Sequence, residues 1–173
     1  MANSRKKFSK IYDQYVDKIY RFVFLKVSSE EIAQDLTSET FLKCWEVFKR
    51  TENPTSNEQK IENPQAFLYQ IARNLVTDHY REKGKYQVVS AEISPITDPR
   101  TNLEERVILN SDLEIIHKHL SCLKDDYQNA IVWYYLDDLP ICEVAKLLDK
   151  SEEATRVLIH RALKSLREKV NLA

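Results

Sequence analysis

The sequence predicts an all-α protein of two small helical domains, three helices in the N-terminal domain and four in the C-terminal domain, joined by a flexible linker. Its 173 residues include five prolines and a single glycine, Gly84, so little in the chain suits the positive backbone angles of hairpin turns. Apolar residues recur at three- and four-residue steps, which is helical spacing. Residues 85–100 lack this periodicity and contain Pro95 and Pro99, so we place the linker there.

The N-terminal domain, residues 1–84, is expected to begin with an amphipathic helix over 7–27. Ser28 and Glu31 have the spacing of a capping box, so we expect Ser28 to open a second helix that runs to about Arg50. The two helices are therefore predicted to follow each other with a tight connection.

A polar loop is predicted to lead into the third helix. Asn63 and Pro64 mark its start, because Asn caps helices and proline suits the first helical position. We expect this helix to end near Lys83, with Gly84 as its C-terminal cap.

The C-terminal domain, residues 101–173, is expected to open with a helix over 101–123, because Thr101 and Glu104 form another capping box. The acidic pair 125–126 predicts the start of the next helix, which is rich in aromatic residues.

Two further helices complete the prediction. Pro140 suits the first turn of a short helix that ends near Asp149, and Ser151 can cap a last helix that reaches about Val170. A short helix, a tight turn and a longer helix are the outline of a helix-turn-helix.

Charge is uneven along the chain, although the formal net charge is only -1. Residues 1–86 carry 15 Lys and Arg against 12 Asp and Glu, residues 87–149 carry 5 against 12, and residues 150–173 carry 6 against 3. The basic end segments can bind phosphates, and the acidic middle segment can keep a linker extended or bind a basic partner. The alternative is that these charges belong to ordinary solvated helix faces.

The cysteines and the N-terminus indicate the compartment. Cys44, Cys122 and Cys142 are odd in number and lie in helical patterns, which argues against a disulfide framework; we interpret Cys122 and Cys142 as core residues. The chain begins without the apolar core of a signal peptide, and no apolar run approaches the ~18 residues of a membrane span. We expect a soluble, cytoplasmic protein with no membrane insertion.

Enzyme chemistry is not expected, and neither is a cofactor or a metal. The four histidines His79, His117, His119 and His160 are scattered, and none lies near a nucleophile motif or a glycine-rich phosphate loop. His119 and Cys122 alone are too few for a zinc site.

The last predicted helix carries two stripes. Arg156, His160, Lys164 and Arg167 form a mostly basic stripe that suits a DNA major groove, where Arg and Lys bind guanine edges or phosphates. The alternative is that these residues only solvate the C-terminal end of a helix, where cations are favoured. The neighbouring stripe is expected to pack on the preceding helix; it comprises Thr155, Ile159, Ala162, Leu166 and Val170.

The third helix has a polar stripe that suits single-stranded nucleic acid, since cations hold the backbone, aromatic faces stack on bases and amides bond to unpaired edges. Either Tyr69 or Tyr80 can instead be a half-buried core residue. The stripe and the loop before it comprise Asn57, Lys60, Asn63, Tyr69, Gln70, Arg73, Asn74, Thr77 and Arg81.

Three segments together resemble the extracytoplasmic-function (ECF) group of the sigma-70 family. The first covers 33–41 with Trp45 and is similar to the family's A-E-D-L-T-Q-E-x-F motif, with Gln34 and Ser38 as departures. In that family the helix binds the beta-prime clamp helices of RNA polymerase. The resemblance therefore implies polymerase binding by Glu31, Asp35, Ser38, Glu39, Leu42, Trp45 and Glu46.

The second segment covers 64–74, followed by Asp78 and Arg81, and is similar to the family pattern W-L-x-x-I-A-x-N-x-x-x-D-x-x-R, with Phe67 in place of Trp. The resemblance implies recognition and opening of the -10 element. It assigns the polar stripe of the third helix and the loop 51–63 to the unpaired strand.

The third segment joins Glu143-Val144-Ala145 to 151–162 and looks like the family's -35 recognition motif. Glu153, Leu158 and Leu163 depart from it, and a leucine can pack on a thymine methyl but cannot make a bidentate guanine contact. The residues assigned to -35 DNA are Ser151, Thr155, Arg156, His160, Arg161, Lys164 and Arg167.

These features predict an alternative sigma factor that binds core RNA polymerase and directs promoter-specific initiation at -10 and -35 elements. The resemblance also implies an anti-sigma factor as a partner. The alternatives are a helix-turn-helix regulator that does not bind polymerase and a helical adaptor whose polar stripes are merely solvated.

Overall fold

The computed structural model describes residues 2–51, 61–86, 118–120 and 122–171, and within these ranges it contains helices and no β-strand. The prediction of an all-α fold is confirmed. The helices are α1 (Ala2–Val27), α2 (Glu30–Thr51), α3 (Pro64–Tyr86), α4 (Asp125–Ile131), which continues into a π-helical turn (Val132–Leu136), α5 (Ile141–Leu148) and α6 (Glu152–Asn171). The predicted linker, most of the predicted helix over 101–123, and Asn57 and Lys60 lie outside the described residues.

The helix caps agree with the sequence at two places and differ at two. The side chains of Asn63 and Ser151 accept hydrogen bonds from backbone N–H groups three residues on, at 3.1 and 3.2 Å, as expected of N-caps. The cap of α2 is Ser29 instead of Ser28, because Ser28 adopts a left-handed conformation with φ 54°. Gly84 lies inside α3 without a positive φ, so it is not a C-terminal cap.

The helix-turn-helix outline is confirmed by α5 and α6. Asp149 ends α5 in the left-handed region, with φ 54° and ψ 50°, which Asp tolerates better than most residues. The N–H of Lys150 donates to the carbonyl oxygen of Ala145 at 3.0 Å and closes the helix end. Ser151 then starts α6 at once, so the two helices are joined by a tight turn.

The cores of the two domains are continuous. In the N-terminal domain α1, α2 and α3 pack on one another around residues such as Phe22 and Leu68. In the C-terminal domain α4, α5 and α6 enclose Val144 and Ile159. Trp133 of the π-helical turn is fully buried and reaches across, so the domains share one apolar core.

Three sequence interpretations of burial are wrong. Cys44 is buried, but Cys122 and Cys142, which we interpreted as core residues, are exposed free thiols. Val170 was assigned to the buried stripe of the last helix, yet 49% of it is exposed, because it lies beyond the part of α6 that α4 and α5 cover. The rest of that stripe is buried or half-buried.

Candidate functional site

One exposed face of α2 contains every residue that the sequence assigned to polymerase binding. Glu31, Asp35, Ser38, Leu42 and Glu46 are exposed, while Glu39 and Trp45 are half-buried. Leu42 is 58% exposed, which is unusual for a leucine in the middle of a helix. These residues are three or four positions apart, so they share one face of α2. On that face the apolar Leu42 lies within a row of carboxylates.

A shallow groove of about 510 Å³ runs beside this face, between α1 and α2. Its floor is aromatic, with Phe8 at 5.0 Å from Trp45 and Tyr12 at 4.8 Å from Phe41, measured between ring centroids. Tyr12 is 45% exposed. The acidic row and the apolar groove together suit a basic, amphipathic protein surface.

The polar face of α3 is only partly open to solvent. Gln70, Asn74, Thr77 and Arg81 are exposed, and Arg81 lies 3.5 Å from Asp78. Asn63 is half-buried because its side chain caps α3. The open part of this face therefore offers amides, a hydroxyl and a cation, the groups expected to bind unpaired bases and phosphates.

Two residues of the predicted stripe on α3 contact the C-terminal domain. Tyr69 is fully buried and donates its hydroxyl hydrogen to Asp137. Arg73 donates to the carbonyl oxygen of Leu147 and lies 3.9 Å from Asp126. Of the two alternatives for Tyr69, burial in the core is the one that this arrangement of the domains shows.

A cavity of about 820 Å³ separates the rest of this face from α5. One wall of the cavity belongs to α3 and includes Gln70, Arg73 and Asn74. The opposite wall belongs to α5 and includes Glu143 and Lys146. The helix-turn-helix thus stands directly over the residues assigned to the -10 strand.

The outer face of α6 carries a cluster of exposed cations and one exposed histidine. Arg156, His160, Arg161, Lys164 and Arg167 are exposed, and so is Ser151 at the start of the helix. This face can enter a major groove, as expected of a recognition helix.

Thr155 corrects the predicted set of DNA-binding residues on α6. Its side chain is fully buried and donates to the carbonyl oxygen of Ser151 at 2.8 Å. Val157, which the sequence interpretation left out, is 50% exposed on the same face. Its spacing could have identified it, because Val157 lies three and four residues before His160 and Arg161.

Acidic side chains modify the charge at the start of α6. A hydrogen bond from its own backbone N–H, together with one from the Ser151 hydroxyl, lowers the pKa of Glu153, so its negative charge is stabilised. Glu152 pairs with Arg156 at 3.1 Å, but both side chains are about half exposed and the pair is weak. The guanidinium is therefore available to another anion.

The residues that the structure describes contain no group of three or more His, Cys, Asp or Glu placed to hold a metal ion. Among the same residues, no helix is long and apolar enough to span a membrane.

Family comparisons agree with this division into two modules. The model described as "Sigma-70 region 2" matches residues 11–86, and the model "Sigma-70, region 4" matches residues 119–168. The chain belongs to the sigma-70 family of RNA polymerase sigma factors. Within that family it is an ECF sigma factor, because several curated relatives of that group match nearly its whole length.

The ECF sigma factor BldN of Streptomyces coelicolor is 29% identical over 166 residues, which cover 95% of this chain but 61% of BldN. SigM of Bacillus subtilis is 25% identical, with 93% of each chain covered. This chain therefore spans less than two thirds of BldN and nearly all of SigM.

Two solved structures have the same fold. One is the sigma factor RpoE of Bartonella quintana, in complex with the anti-sigma factor NepR, with a TM-score of 0.70 and 20% identity over 96% of this chain and 98% of that one. The other is CnrH in complex with the cytosolic domain of CnrY, with a TM-score of 0.68 and 17% identity over 97% and 90% of the two chains.

Proposed function

We propose that this chain binds core RNA polymerase through the exposed face of α2 and directs initiation at promoters with particular -10 and -35 elements. The observation that supports this most strongly is Leu42, 58% exposed within a row of carboxylates beside an aromatic groove. In a regulator that binds only DNA, this surface would not contribute to binding, because an acidic face repels phosphates.

The two promoter elements are assigned to different modules. The exposed amides and cations of α3 bind the unpaired -10 strand, with Asn74 and Gln70 on base edges and Arg81 on the backbone. The outer face of α6 binds the -35 duplex, with Arg156 and Lys164 supplying the cations. The boundaries proposed for the modules remain 1–84, 85–100 and 101–173.

The α6 surface suits a thymine as well as a guanine. Val157 exposes its methyl groups between the cations, and apolar side chains pack on the thymine C5-methyl. Glu153 lies at the N-terminal end of this face with a stabilised negative charge. We expect this charge to weaken binding of the -35 duplex whatever its base sequence, because it repels phosphates.

The protein acts in the cytoplasm and adds no catalytic step of its own; it positions polymerase on the promoter. We also propose a protein inhibitor of the anti-sigma kind, since NepR is described as the anti-sigma factor of a protein with this fold.

The test combines a pull-down with transcription in vitro, using core polymerase from the same organism and a fragmented genomic library. Leu42→Asp should lower polymerase binding about tenfold or more, as for a central apolar contact of an interface. Val170→Asp is the matched control, because Val170 is similarly exposed but lies on α6. Absence of a complex with the unaltered chain would contradict the proposal.

Promoter recognition is tested separately on the start sites recovered from the library. Asn74→Ala should lower transcription while leaving polymerase binding unchanged, and Arg156→Ala should do so chiefly on promoters that depend on the -35 element. A helical adaptor predicts no specific start sites at all. A regulator that does not join polymerase predicts duplex binding without initiation.

A further inference from the structure

One end of the N-terminal domain carries exposed cations from two helices. Residues 2–12, at the start of α1, contain Arg5, Lys6, Lys7 and Lys10 but no Asp or Glu. Lys49 lies in the last turn of α2. Arg5, Lys6, Lys10 and Lys49, all of them exposed, form what we call the cationic end of the domain.

Aromatic contacts hold the two helices together at this end. The ring of Phe8 in α1 lies 5.0 Å from that of Trp45 and 5.7 Å from that of Phe48 in α2, measured between centroids. The ammonium group of Lys49 lies 5.5 Å from the centroid of the Trp45 ring. Because Phe8 fixes the start of α1 beside the end of α2, the cations of both helices belong to one surface.

The cations of α1 differ from those of an ordinary solvated helix face, where acidic and basic residues alternate and pair. On α2, for example, Lys43 lies 3.2 Å from Glu39, one turn away. Arg5, Lys6 and Lys10 make no ion pair with any residue that the structure describes. A short segment with several cations and no acidic residue is typical of a surface that binds nucleic acid.

Helix stability does not explain these cations either. The start of a helix carries a partial positive charge, which favours acidic side chains and disfavours basic ones. Arg5 and Lys6 lie near the start of α1, and its first turn contains no acidic residue. The repulsion among these groups would be relieved by an anion bound from outside the domain.

The cationic end adjoins the surface that the proposed function assigns to the -10 strand. Val47 of α2 lines the same cavity as Gln70 and Asn74 of α3. Lys49 follows Val47 by only two residues, so the exposed amides of α3 and the cations lie at the same end of the domain. A strand whose bases are held by α3 has phosphates on either side of those bases, within reach of this end.

Phosphates suit the cationic end better than an acidic protein does. Three of its four residues are lysines, and lysine is depleted in protein–protein interfaces. Lysine and arginine are, in contrast, the usual partners of the nucleic acid backbone, which they bind whatever the base sequence.

We propose that the cationic end binds phosphates of the promoter single strand next to the bases held by α3, as a second, sequence-independent DNA contact of the N-terminal domain. The position of the strand rests on the proposed function. The contact gives α1 a role in DNA binding, which the sequence motifs assigned only to α3, the loop before it and α6.

The first test uses the full chain alone and a fluorescent oligothymidine, with binding measured by anisotropy over a range of salt concentrations. For single strands, each phosphate contact adds ~0.7 to the slope of log affinity against log salt. Lys6→Gln with Lys10→Gln should therefore reduce the slope by about 1.4 and weaken binding about tenfold at low salt. Glutamine forms helices about as well as lysine, so α1 should remain folded.

Lys83→Gln with Lys124→Gln is the matched control, because both lysines are exposed. They lie near Lys26, which Tyr80 and Asp125 contact. Lys26 is about 30 Å along α1 from the cationic end. The control should keep the slope of the unaltered chain. Equal slopes in the two double variants would overturn the proposal.

A variant in α2 provides a check that does not depend on the fold of α1. If Lys6→Gln with Lys10→Gln loses helical circular dichroism, Lys49→Gln replaces it and must reduce the slope by ~0.7. An unchanged slope in Lys49→Gln would then count against the cationic end.

The second test uses the complex with core polymerase on a promoter fragment whose -10 region is unpaired. The double variant of α1 should bind this fragment about tenfold more weakly than the control, while both bind core polymerase equally without DNA. Weaker binding of polymerase itself would assign the cationic end to a protein contact and overturn the proposal. If the unaltered chain forms no polymerase complex, the proposed function is contradicted, and the oligothymidine measurement still decides whether the cationic end binds a single strand.

Discussion

Arg73 of α3 donates a hydrogen bond to the backbone carbonyl oxygen of Leu147 at 2.5 Å, so a side chain assigned to the -10 strand is held by the helix-turn-helix. The last carbonyls of a helix lack intrahelical partners and carry a partial negative charge. The carbonyl oxygen at the end of α5 therefore attracts the Arg73 guanidinium as a DNA phosphate does, but less strongly. The Arg73 guanidinium therefore contacts the helix-turn-helix in this structure. By the proposed function, the same group binds promoter DNA.

Replacing Arg73 by Ala should lower transcription from the recovered promoters about tenfold, as expected for loss of one charged hydrogen bond. Polymerase binding should not fall, because α2 is unchanged. Transcription in vitro measures the effect, and Lys83→Ala, an exposed cation near the end of α3, is the control. Equal transcription from both variants would remove Arg73 from the -10 surface.

Glu153→Gln should strengthen binding to the -35 duplex severalfold at low salt, because it removes a stabilised negative charge from the face that approaches phosphates. The gain should shrink as salt rises and screens the charge. Fluorescence anisotropy of the polymerase complex on labelled promoter duplex measures it. Glu168→Gln, at an exposed position near the other end of α6, should have a smaller effect; equal gains from both would place Glu153 away from DNA.

The three thiols should differ in reactivity. Cys122 and Cys142 are exposed, whereas burial raises the pKa of Cys44 to about 11 and keeps its thiol protonated at pH 8. Titration with a chromogenic disulfide should give two fast thiols in the folded protein and three after denaturation. A third fast thiol in the folded state would mean that Cys44 is accessible.

Helical spacing in the sequence predicted the described α-helices well, but not the π-helical turn, because the spacing depends on local pattern alone. The caps at Asn63 and Ser151 followed from the same local chemistry. Cys142 was misplaced although its position is local: it lies on the side of α5 away from the buried face of Val144 and Leu148. A helical projection of α5 alone would have corrected it.

Tyr69 shows what local patterns could not predict. Its burial depends on Trp133 and Asp137, which lie more than sixty residues away along the chain and in another domain. The residues beside Tyr69 in the sequence of α3 do not determine whether its side chain is exposed or buried. The resemblance assigned this stripe to promoter DNA, but it contained no information on the contact that covers part of the stripe.

Trp133 gives this molecule an optical property. The chain has two tryptophans, Trp45 on the α2 face and Trp133, which is buried against the rings of Phe22 and Tyr69. In a Trp45→Phe background the remaining indole should emit at short wavelength while it is enclosed, and its emission should shift to the red when water reaches it. The protein thus contains its own fluorescent reporter of domain separation.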